Sequence, residues 1–342
     1  MLDIDGSRGG GQIVRSSLAL SVLTDTPIRI EDVRGDRPEP GLKHQHRNAV
    51  ELAAEIADAD VTGAELGATT VAFDPGHVSG GEYEASISTA GSITLVFDTV
   101  LPLAAVLDEP LSVTVGGGTD VKWSPPLDYY RRVKLPFLRQ HGVQAVVEPG
   151  RRGFYPAGGG EATLRISPST FEPVCATDRG ERRDVRIYSV ASSHLDDADV
   201  ASRQARAATE SLPDDVQITE RVSAVATANS PGSAVVVAAA YENGCAGFSA
   251  LGERGKPAED VGADAAAALS AFDRGDAAVD EHLADQLLLP MALVGGELSV
   301  PNATAHIESS VELLGRFGVD VRVNDGTEST TVNIDKPIEL TR

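Results

Sequence analysis

Apolar and polar residues alternate along the chain with two different periods. In eight segments the apolar residues recur every three to four positions, which is typical of helices that bury one face. The predicted helices are 12–23, 42–58, 92–107, 127–140, 197–211, 257–273, 277–292 and 305–317. Short runs between them are rich in Val, Ile and Thr and bounded by turn-forming residues, so they predict strands. These strands are 28–33, 83–89, 111–115, 143–147, 162–166, 185–190, 234–240, 298–301, 319–323 and 330–334, with two more within 61–74.

The order of these elements recurs along the chain. Units of strand, helix, strand, helix, strand, strand, each roughly 75–80 residues long, fit the pattern three times. A segment with one helix and four strands, flanked by charged and glycine-containing hinges, breaks this order. We therefore predict an α/β protein of the α+β type, with a large domain of three βαβαββ repeats and a smaller inserted α/β domain. The predicted ranges are 1–80 and 81–168 for the first two repeats, 183–255 for the inserted domain, and 169–182 plus 256–342 for the third repeat.

The charge composition is unusual. The chain has 342 residues and a formal net charge of -22, and only five of its 29 basic residues are lysines. An acidic, lysine-poor surface suits a salt-rich cytoplasm, where ions screen the self-repulsion. The same charge argues against unspecific binding of nucleic acid, because phosphate contacts need Lys or Arg. Any polyanion must therefore meet a local arginine cluster.

Three further features limit the class of protein. No apolar run reaches the roughly 18 residues of a membrane span. The acidic start lacks the basic end and apolar run of a signal peptide, so we expect a cytoplasmic protein with no membrane partner. Two cysteines, Cys175 and Cys245, are too few for a disulfide framework or a four-cysteine zinc site. We expect both to be small buried residues.

Two segments near the start could recognise phosphate. Three glycines, Gly9 to Gly11, open the first predicted helix, and backbone amides at such a helix start can bind an anion. A plain tight turn before a helix is the alternative. Residues 34–47 hold four basic side chains and two histidines in an otherwise acidic chain. They form either a phosphate-binding patch, suited to arginine forks, or a solvated loop and helix face.

Two later segments are also distinctive. Residues 151–160 combine two arginines with an aromatic, proline and glycine loop, which is most simply a turn between strands. His306 lies at the junction of a predicted strand and helix. There a histidine can act as a nucleophile toward phosphorus, although an acid–base residue or a helix cap is also compatible with this position.

Six blocks of the sequence resemble the RNA 3'-terminal phosphate cyclase family, in its catalytic, histidine-containing branch. They occur in family order and span nearly the whole chain, from about residue 3 to 323. With the charge pattern, they point to a halophilic archaeon as the source. The blocks are Gly9–Ser16, Pro40–Leu42, Gln45–His46, Gly117–Asp120, Gly153–Gly160 and Leu283–Leu287.

The resemblance implies an ATP-dependent reaction in three steps. A histidine takes AMP from ATP, AMP passes to an RNA 3'-phosphate, and the neighbouring 2'-hydroxyl expels AMP to form a 2',3'-cyclic phosphate. The family's nucleophile corresponds to His306. By the same resemblance, ATP would contact His282, Leu283, Ala284, Asp285, Gln286, Asp98 and Pro126. Phosphate or RNA would contact Arg15, Arg34, Arg37, Gln12, Gln45 and His46.

The implied partners are ATP, RNA with a 3'-terminal phosphate, and a divalent cation, Mg²⁺ or Mn²⁺, with no metal ligand assigned. No role with DNA is predicted. The chain departs from the family pattern at three points. The family's N-terminal glutamate is absent, because Arg8 leads directly to Gly9, and Asp98 and His282 stand where glutamine and tyrosine are usual.

The alternative function is that of a non-catalytic, RNA-binding ribosome-biogenesis factor of the same fold, a branch of the family that lacks the histidine nucleophile. The presence of His306 favours the enzyme, and the missing glutamate is the feature that favours the alternative.

Overall fold

The computed structural model describes residues 1–341. The strands are β1 (Leu2–Asp5), β2 (Ile28–Glu31), β3 (Asp60–Thr62), β4 (Val71–Asp74), β5 (Gly81–Ser86), β6 (Leu111–Gly117), β7 (Ala145–Pro149), β8 (Gly160–Ile166), β9 (Val174–Ala176), β10 (Arg182–Ser192), β11 (Ile218–Ala226), β12 (Ser233–Tyr241), β13 (Cys245–Leu251), β14 (Gly296–Val300), β15 (Val321–Asp325) and β16 (Thr330–Ile334). The helices are α1 (Gly11–Thr24), α2 (His44–Ile56), α3 (Ile93–Val100), α4 (Leu127–Tyr129), α5 (Leu135–Gln140), α6 (Val200–Glu210), α7 (Ala258–Phe272), α8 (Glu281–Val294) and α9 (Ala305–Arg316). The predicted mixed α/β class is confirmed.

Three of the four sheets share one strand order. The orders are β1-β2-β4-β3, β5-β6-β8-β7 and β9-β14-β16-β15. In each, the first two strands are parallel and the remaining pairs are antiparallel. A parallel pair needs a crossover connection, which a helix supplies in the first two sheets, whereas the antiparallel pairs β3-β4, β7-β8 and β15-β16 join strands that are consecutive in the chain. We propose that these sheets are the three βαβαββ repeats.

The fourth sheet, β11-β10-β12-β13, lies in the chain between β9 and α8. It has a hydrophobic core of its own, to which α6 contributes Ala205 and α7 contributes Leu269. Helix α7 therefore packs with the inserted sheet, although the predicted boundary at residue 255 assigns it to the third repeat. We propose that the inserted unit extends to about residue 277, because Ala277 is the last residue of this core.

Some element bounds differ from the prediction for local reasons. The helix predicted over 92–107 ends at Val100 and continues as a 3₁₀ segment to Ala105, with Pro102 in its first turn. The helix predicted over 127–140 is interrupted by a π segment, Tyr130–Lys134, just before Pro136. Proline lacks the amide hydrogen that a regular helix uses, so the pattern is broken near it.

The prediction that both cysteines are buried is wrong for Cys175, which is exposed. Strand β9 is the edge strand of its sheet, and burial alternates along it. Cys175 is the middle residue and points outward, because neighbouring side chains on a strand face opposite sides. Cys245 is half-buried.

The main core joins the three repeated sheets through their helices. Helix α1 contacts α2, α3 and α9, and α8 contacts α9. This packing lets residues far apart in sequence line a common cleft. No helix in residues 1–341 is both long and apolar enough to cross a membrane.

Candidate active site

A cleft of about 1090 Å³ lies between the repeats and the inserted unit. Residues of α1, α2, α3, α8, α9 and β13 line it. It brings together twelve of the fourteen side chains predicted for the site. These are Gln12, Arg15, Arg34, Arg37, Gln45, His46, Asp98, Pro126, His282, Asp285, Gln286 and His306.

The other two, Leu283 and Ala284, are fully buried in the main core and do not line the cleft. On α8 the positions 282, 285 and 286 share one face, because residues three and four apart lie side by side on a helix. Positions 283 and 284 fall on the opposite, inward face. Their side chains therefore pack into the core and hold in place the helix that carries the cleft residues.

The glycine loop makes room for two basic side chains. Gly10 caps α1 with φ of 60°, a conformation that favours glycine. A Cβ on Gly10 would lie 3.2 Å from Nη2 of Arg37, and one on Gly11 would collide with Nε2 of His46. The first turn of α1 contains no acidic residue, and the guanidinium of Arg37 lies beside its start. This arrangement suits an anion.

His46 is held as a neutral imidazole. It is 4% exposed, and the amide of Lys43 donates to its Nδ1 at 3.1 Å. That contact requires Nδ1 to be the acceptor, so the proton is assigned to Nε2, on the side of the glycine loop. Burial, helped by Arg15, lowers the pKa of His46 to about 3.

The three predicted arginines differ in what they contact. Arg34 donates from Nη1 to the carbonyls of Glu39 and Gly41, each at 2.9 Å, so part of its fork holds the loop. Arg15 and Arg37 make no side-chain hydrogen bond or ion pair within residues 1–341. Burial lowers the pKa of Arg15, and Asp98 partly offsets this effect. Two guanidinium groups are therefore left free to bind an anion.

The charge of Asp98 is neutralised by a buried lysine, Lys134. Nζ of Lys134 donates to its Oδ1 at 2.5 Å, and the Lys134 side chain is 4% exposed. Burial lowers the pKa of Lys134, while Asp98 raises it. The repulsion that an aspartate would exert on the phosphates of ATP is reduced by this pairing.

Caps position the two helices on the C-terminal side. Asp280 caps α8, because its Oδ1 accepts from the amides of His282 and Leu283 at 3.0 Å. It also accepts from the Tyr129 hydroxyl at 2.8 Å and the Gly247 amide at 2.9 Å. One buried carboxylate thus joins α8 to α4 and to the inserted sheet.

Thr304 links α8 to α9. Its Oγ1 accepts from the amide of Ile307 at 3.1 Å and donates to Oδ1 of Asp285 at 2.6 Å. Asp285 and His306 are therefore held in a fixed relation. Burial raises the pKa of Asp285 to about 6.

His306 is the second residue of α9 and lines the cleft. Reduced contact with water lowers its pKa, and Arg15, Arg37 and His282 lower it further. A histidine with a lowered pKa is neutral at pH 7, and only the neutral imidazole has a free electron pair for attack.

A model of the family described as RNA 3'-terminal phosphate cyclase matches residues 7–323. The chain belongs to this family. The match confirms the resemblance drawn from the six sequence blocks and the prediction of a cyclase-class enzyme.

Relatives named RNA 3'-terminal phosphate cyclase cover almost the whole chain. One from Halobacterium salinarum is 47% identical over 96% of this chain and 98% of its own. One from Methanopyrus kandleri is 40% identical over 96% of this chain and 97% of its own. Among solved structures, an EPSP synthase from Acinetobacter baumannii covers 97% of this chain and 64% of its own at 10% identity, with a TM-score of 0.31. A similarity this low does not establish a shared fold.

A buried ion-pair network joins two of the sequence blocks, because Asp120 ends the block Gly117–Asp120 and Arg152 directly precedes the block Gly153–Gly160. Arg152, 8% exposed, donates to both carboxylate oxygens of Asp120 at 3.2 and 3.0 Å and to Asp128 at 2.5 Å. Asp120 and Asp128 precede and follow the loop 121–126, which lines the cleft. The network therefore closes the base of that loop, and this role was not predicted from the sequence.

Other contributors to the cleft were also missed. Asp280 could have been found, because an aspartate directly before a helical pattern is a common cap. Lys122, Trp123 and Lys256 line the cleft on its far side, and no spacing rule singles them out. No group of three or more His, Cys, Asp or Glu residues able to hold a metal is found within residues 1–341.

Proposed function

We propose that the chain converts an RNA 3'-terminal phosphate to a 2',3'-cyclic phosphate at the expense of ATP. The observation that carries this proposal is the position of His306 at the start of α9, in one cleft with the free guanidinium groups of Arg15 and Arg37. A nucleophile for phosphorus and unpaired cations for phosphate are the two parts that such a reaction needs. The names of the relatives agree with it.

In the first step, a ring nitrogen of His306 attacks the α-phosphorus of ATP. The bond to the β-phosphate oxygen breaks, and pyrophosphate leaves. Arg15 and Arg37 neutralise the charge that grows on the phosphate oxygens. His282, Asp285 and Gln286 on α8 are the proposed contacts of the nucleotide, together with Asp98 and Pro126, which line the same cleft.

In the second step, an oxygen of the RNA 3'-phosphate attacks the AMP phosphorus, and the bond to His306 breaks. In the third, the adjacent 2'-hydroxyl attacks the activated 3'-phosphorus and loses its proton, AMP leaves, and the ring closes. This closure is fast because the nucleophile belongs to the same ribose. Arg34, Gln12, Gln45 and His46 are the remaining proposed contacts of phosphate or RNA, and the Gln12 amide is already held by Ser310 at 2.7 Å.

A divalent cation, Mg²⁺ or Mn²⁺, belongs to this proposal as a companion of ATP. Mg²⁺ in such sites is bound largely by substrate phosphates and water. It would supply additional neutralisation of phosphate charge, and no protein ligand is assigned to it.

The test is transfer of label from α-labelled ATP to the protein. We expect a label that survives denaturation and is released by acid, as is typical of a phosphoramidate bond. His306→Ala and His306→Asn should take up no label, with the melting temperature unchanged. Labelled protein formed by either variant at the wild-type rate would remove His306 from the mechanism. RNA binding without any label on the wild-type chain would instead support the non-catalytic RNA-binding alternative.

A further inference from the structure

Trp123 is the most exposed large apolar side chain of the described residues and the only tryptophan in the chain. Its side chain is 92% exposed, although it belongs to a residue that lines the cleft. Its backbone has φ of 63°, in the left-handed region that bulky residues rarely adopt. The side chain therefore contributes little to the core, and its conformation costs folding energy.

The loop that carries Trp123 is held firmly. Arg152 bonds to the carboxylates at both ends of the loop, Asp120 and Asp128. The Thr94 hydroxyl donates to the carbonyl of Pro125 at 2.9 Å. Unfavourable backbone conformations persist where the surrounding structure enforces them, and they are frequent at ligand-binding positions. An enforced, exposed aromatic ring beside a cleft suggests a platform for a flat partner.

The lysines of the chain are concentrated around the same cleft. Lys122 and Lys256 line it, Lys134 pairs with Asp98 of its wall, and Lys43 lies directly before α2. Four of the five lysines in a chain of net charge -22 are thus in or next to one cleft. Each of them is paired with a carboxylate: Lys122 with Glu253, Lys256 with Asp264, Lys134 with Asp98 and Lys43 with Glu39. The pairs of Lys122 and Lys43 are exposed and therefore weak, so these two lysines are the ones that an RNA phosphate can compete for.

We propose that Trp123 stacks on a base of the RNA strand whose 3' end is processed at His306. The proposal rests on the proposed function. Single-stranded RNA is commonly bound by aromatic rings that stack on its unpaired bases, next to cations that contact the backbone. An RNA strand must leave the cleft at its rim, where Trp123 is almost fully open to solvent. ATP, by contrast, is proposed to contact His282, Asp285 and Gln286 on α8, and not Trp123.

The first experiment measures the fluorescence of the intact protein. Because Trp123 is the only tryptophan, all tryptophan emission reports on this position. We expect saturable quenching by a short RNA with a 3'-terminal phosphate, and little change with ATP alone. Binding of the same RNA is measured independently by the anisotropy of a labelled copy.

The second experiment uses Trp123→Gly and Trp123→Phe. Glycine removes the platform and relieves the left-handed backbone, so we expect an equal or higher melting temperature together with a KM for RNA raised by about tenfold. Phenylalanine keeps a smaller ring, so the KM of Trp123→Phe for RNA is expected to lie between those of the wild type and of Trp123→Gly. Tyr155→Ala, which removes an exposed aromatic ring outside the cleft, is the matched control and should leave the KM for RNA unchanged.

The outcomes separate this proposal from the proposed function. RNA that binds by anisotropy without quenching would overturn the stacking role, as would quenching by ATP equal to that by RNA. A lower melting temperature in Trp123→Gly with an unchanged KM for RNA would show a structural role instead. Failure of the protein to bind RNA at all, or to take label from ATP, would overturn the proposed function and this inference with it.

Discussion

Arginines occur in two contrasting environments in this molecule. Behind the cleft, Arg152 is buried and bonds to two carboxylates, and these contacts raise its pKa. In the cleft, Arg15 is partly buried with no such partner, and burial lowers its pKa. A buried cation without a partner is costly, so its presence implies a ligand that completes it. Arg15 lines the cleft and Arg152 does not, and what distinguishes the two is the missing carboxylate partner of Arg15, since the residue type is the same.

The largest loss of stability is expected at Arg152, because its charge is paired with two carboxylates. Arg152→Met leaves Asp120 and Asp128 buried without their cation, so we expect the free energy of unfolding to fall by about 3–5 kcal/mol. Chemical denaturation measures the loss. The triple variant Arg152→Met, Asp120→Asn, Asp128→Asn has no stranded charge and should recover part of it. A single variant as stable as the wild type would contradict the contrast between the two environments.

A smaller effect, on activity alone, is expected in the cleft. Arg37→Lys keeps the charge and loses the fork, so we expect turnover to fall about 10- to 100-fold with the melting temperature unchanged. Arg34→Lys should lower both quantities, because the wild-type side chain also bonds to Glu39 and Gly41. Steady-state cyclisation and thermal melting on the same samples distinguish them. Unchanged turnover in Arg37→Lys would indicate a solvated surface residue.

The sequence predicted the helices, most strands and the charged cleft residues of α1, α3, α8 and the segment 34–47, because periodicity and composition are local; it missed Lys122, Glu253, Lys256 and Asp264. It could not distinguish Arg152 from Arg15, because the carboxylates that pair with Arg152 lie 24 and 32 positions away in the chain, whereas Arg15 has no such partner within residues 1–341. Leu283 and Ala284 show the limit of predicting a site as one contiguous block, because both side chains are buried in the main core. A contiguous block was assigned to ATP, although helical geometry allows only part of it to face one ligand.

Cationic neighbours should also affect the pH dependence of adenylylation. Arg15 and Arg37 lower the pKa of His306, so the rate of label transfer should stay high below pH 6.5 and fall only as the imidazole becomes protonated. In Arg37→Gln one of these charges is lost, so the fall should move to higher pH. Single-turnover rates from about pH 5 to 8 test this. Asp285, with a pKa of about 6, is present in both proteins and does not affect the difference.

Salt is expected to change the stability by the smallest amount for each charged residue. The 51 acidic residues repel one another, and added KCl screens them, so the melting temperature should rise by several degrees between about 0.1 and 3 M. RNA affinity should fall over the same range, because arginine–phosphate contacts weaken with salt, while the buried Arg152 network is little affected. Melting and cyclisation are measured together. A melting temperature that is flat or falling would exclude adaptation to high salt.

The contact between the glycine loop and His46 restricts how the cleft can move. The imidazole fills the space beside Gly11 that any side chain there would occupy, so α1 and α2 cannot slide past each other. Closure around a ligand must carry these two helices as one rigid body. On the other side, the loop 121–126 and the inserted unit are joined by the ion pair of Lys122 and Glu253 at 2.9 Å, both partly exposed. Such exposed pairs are weak, so the buried Asp280, which bonds to Tyr129 and to Gly247, is the firmer link between the inserted unit and the repeats.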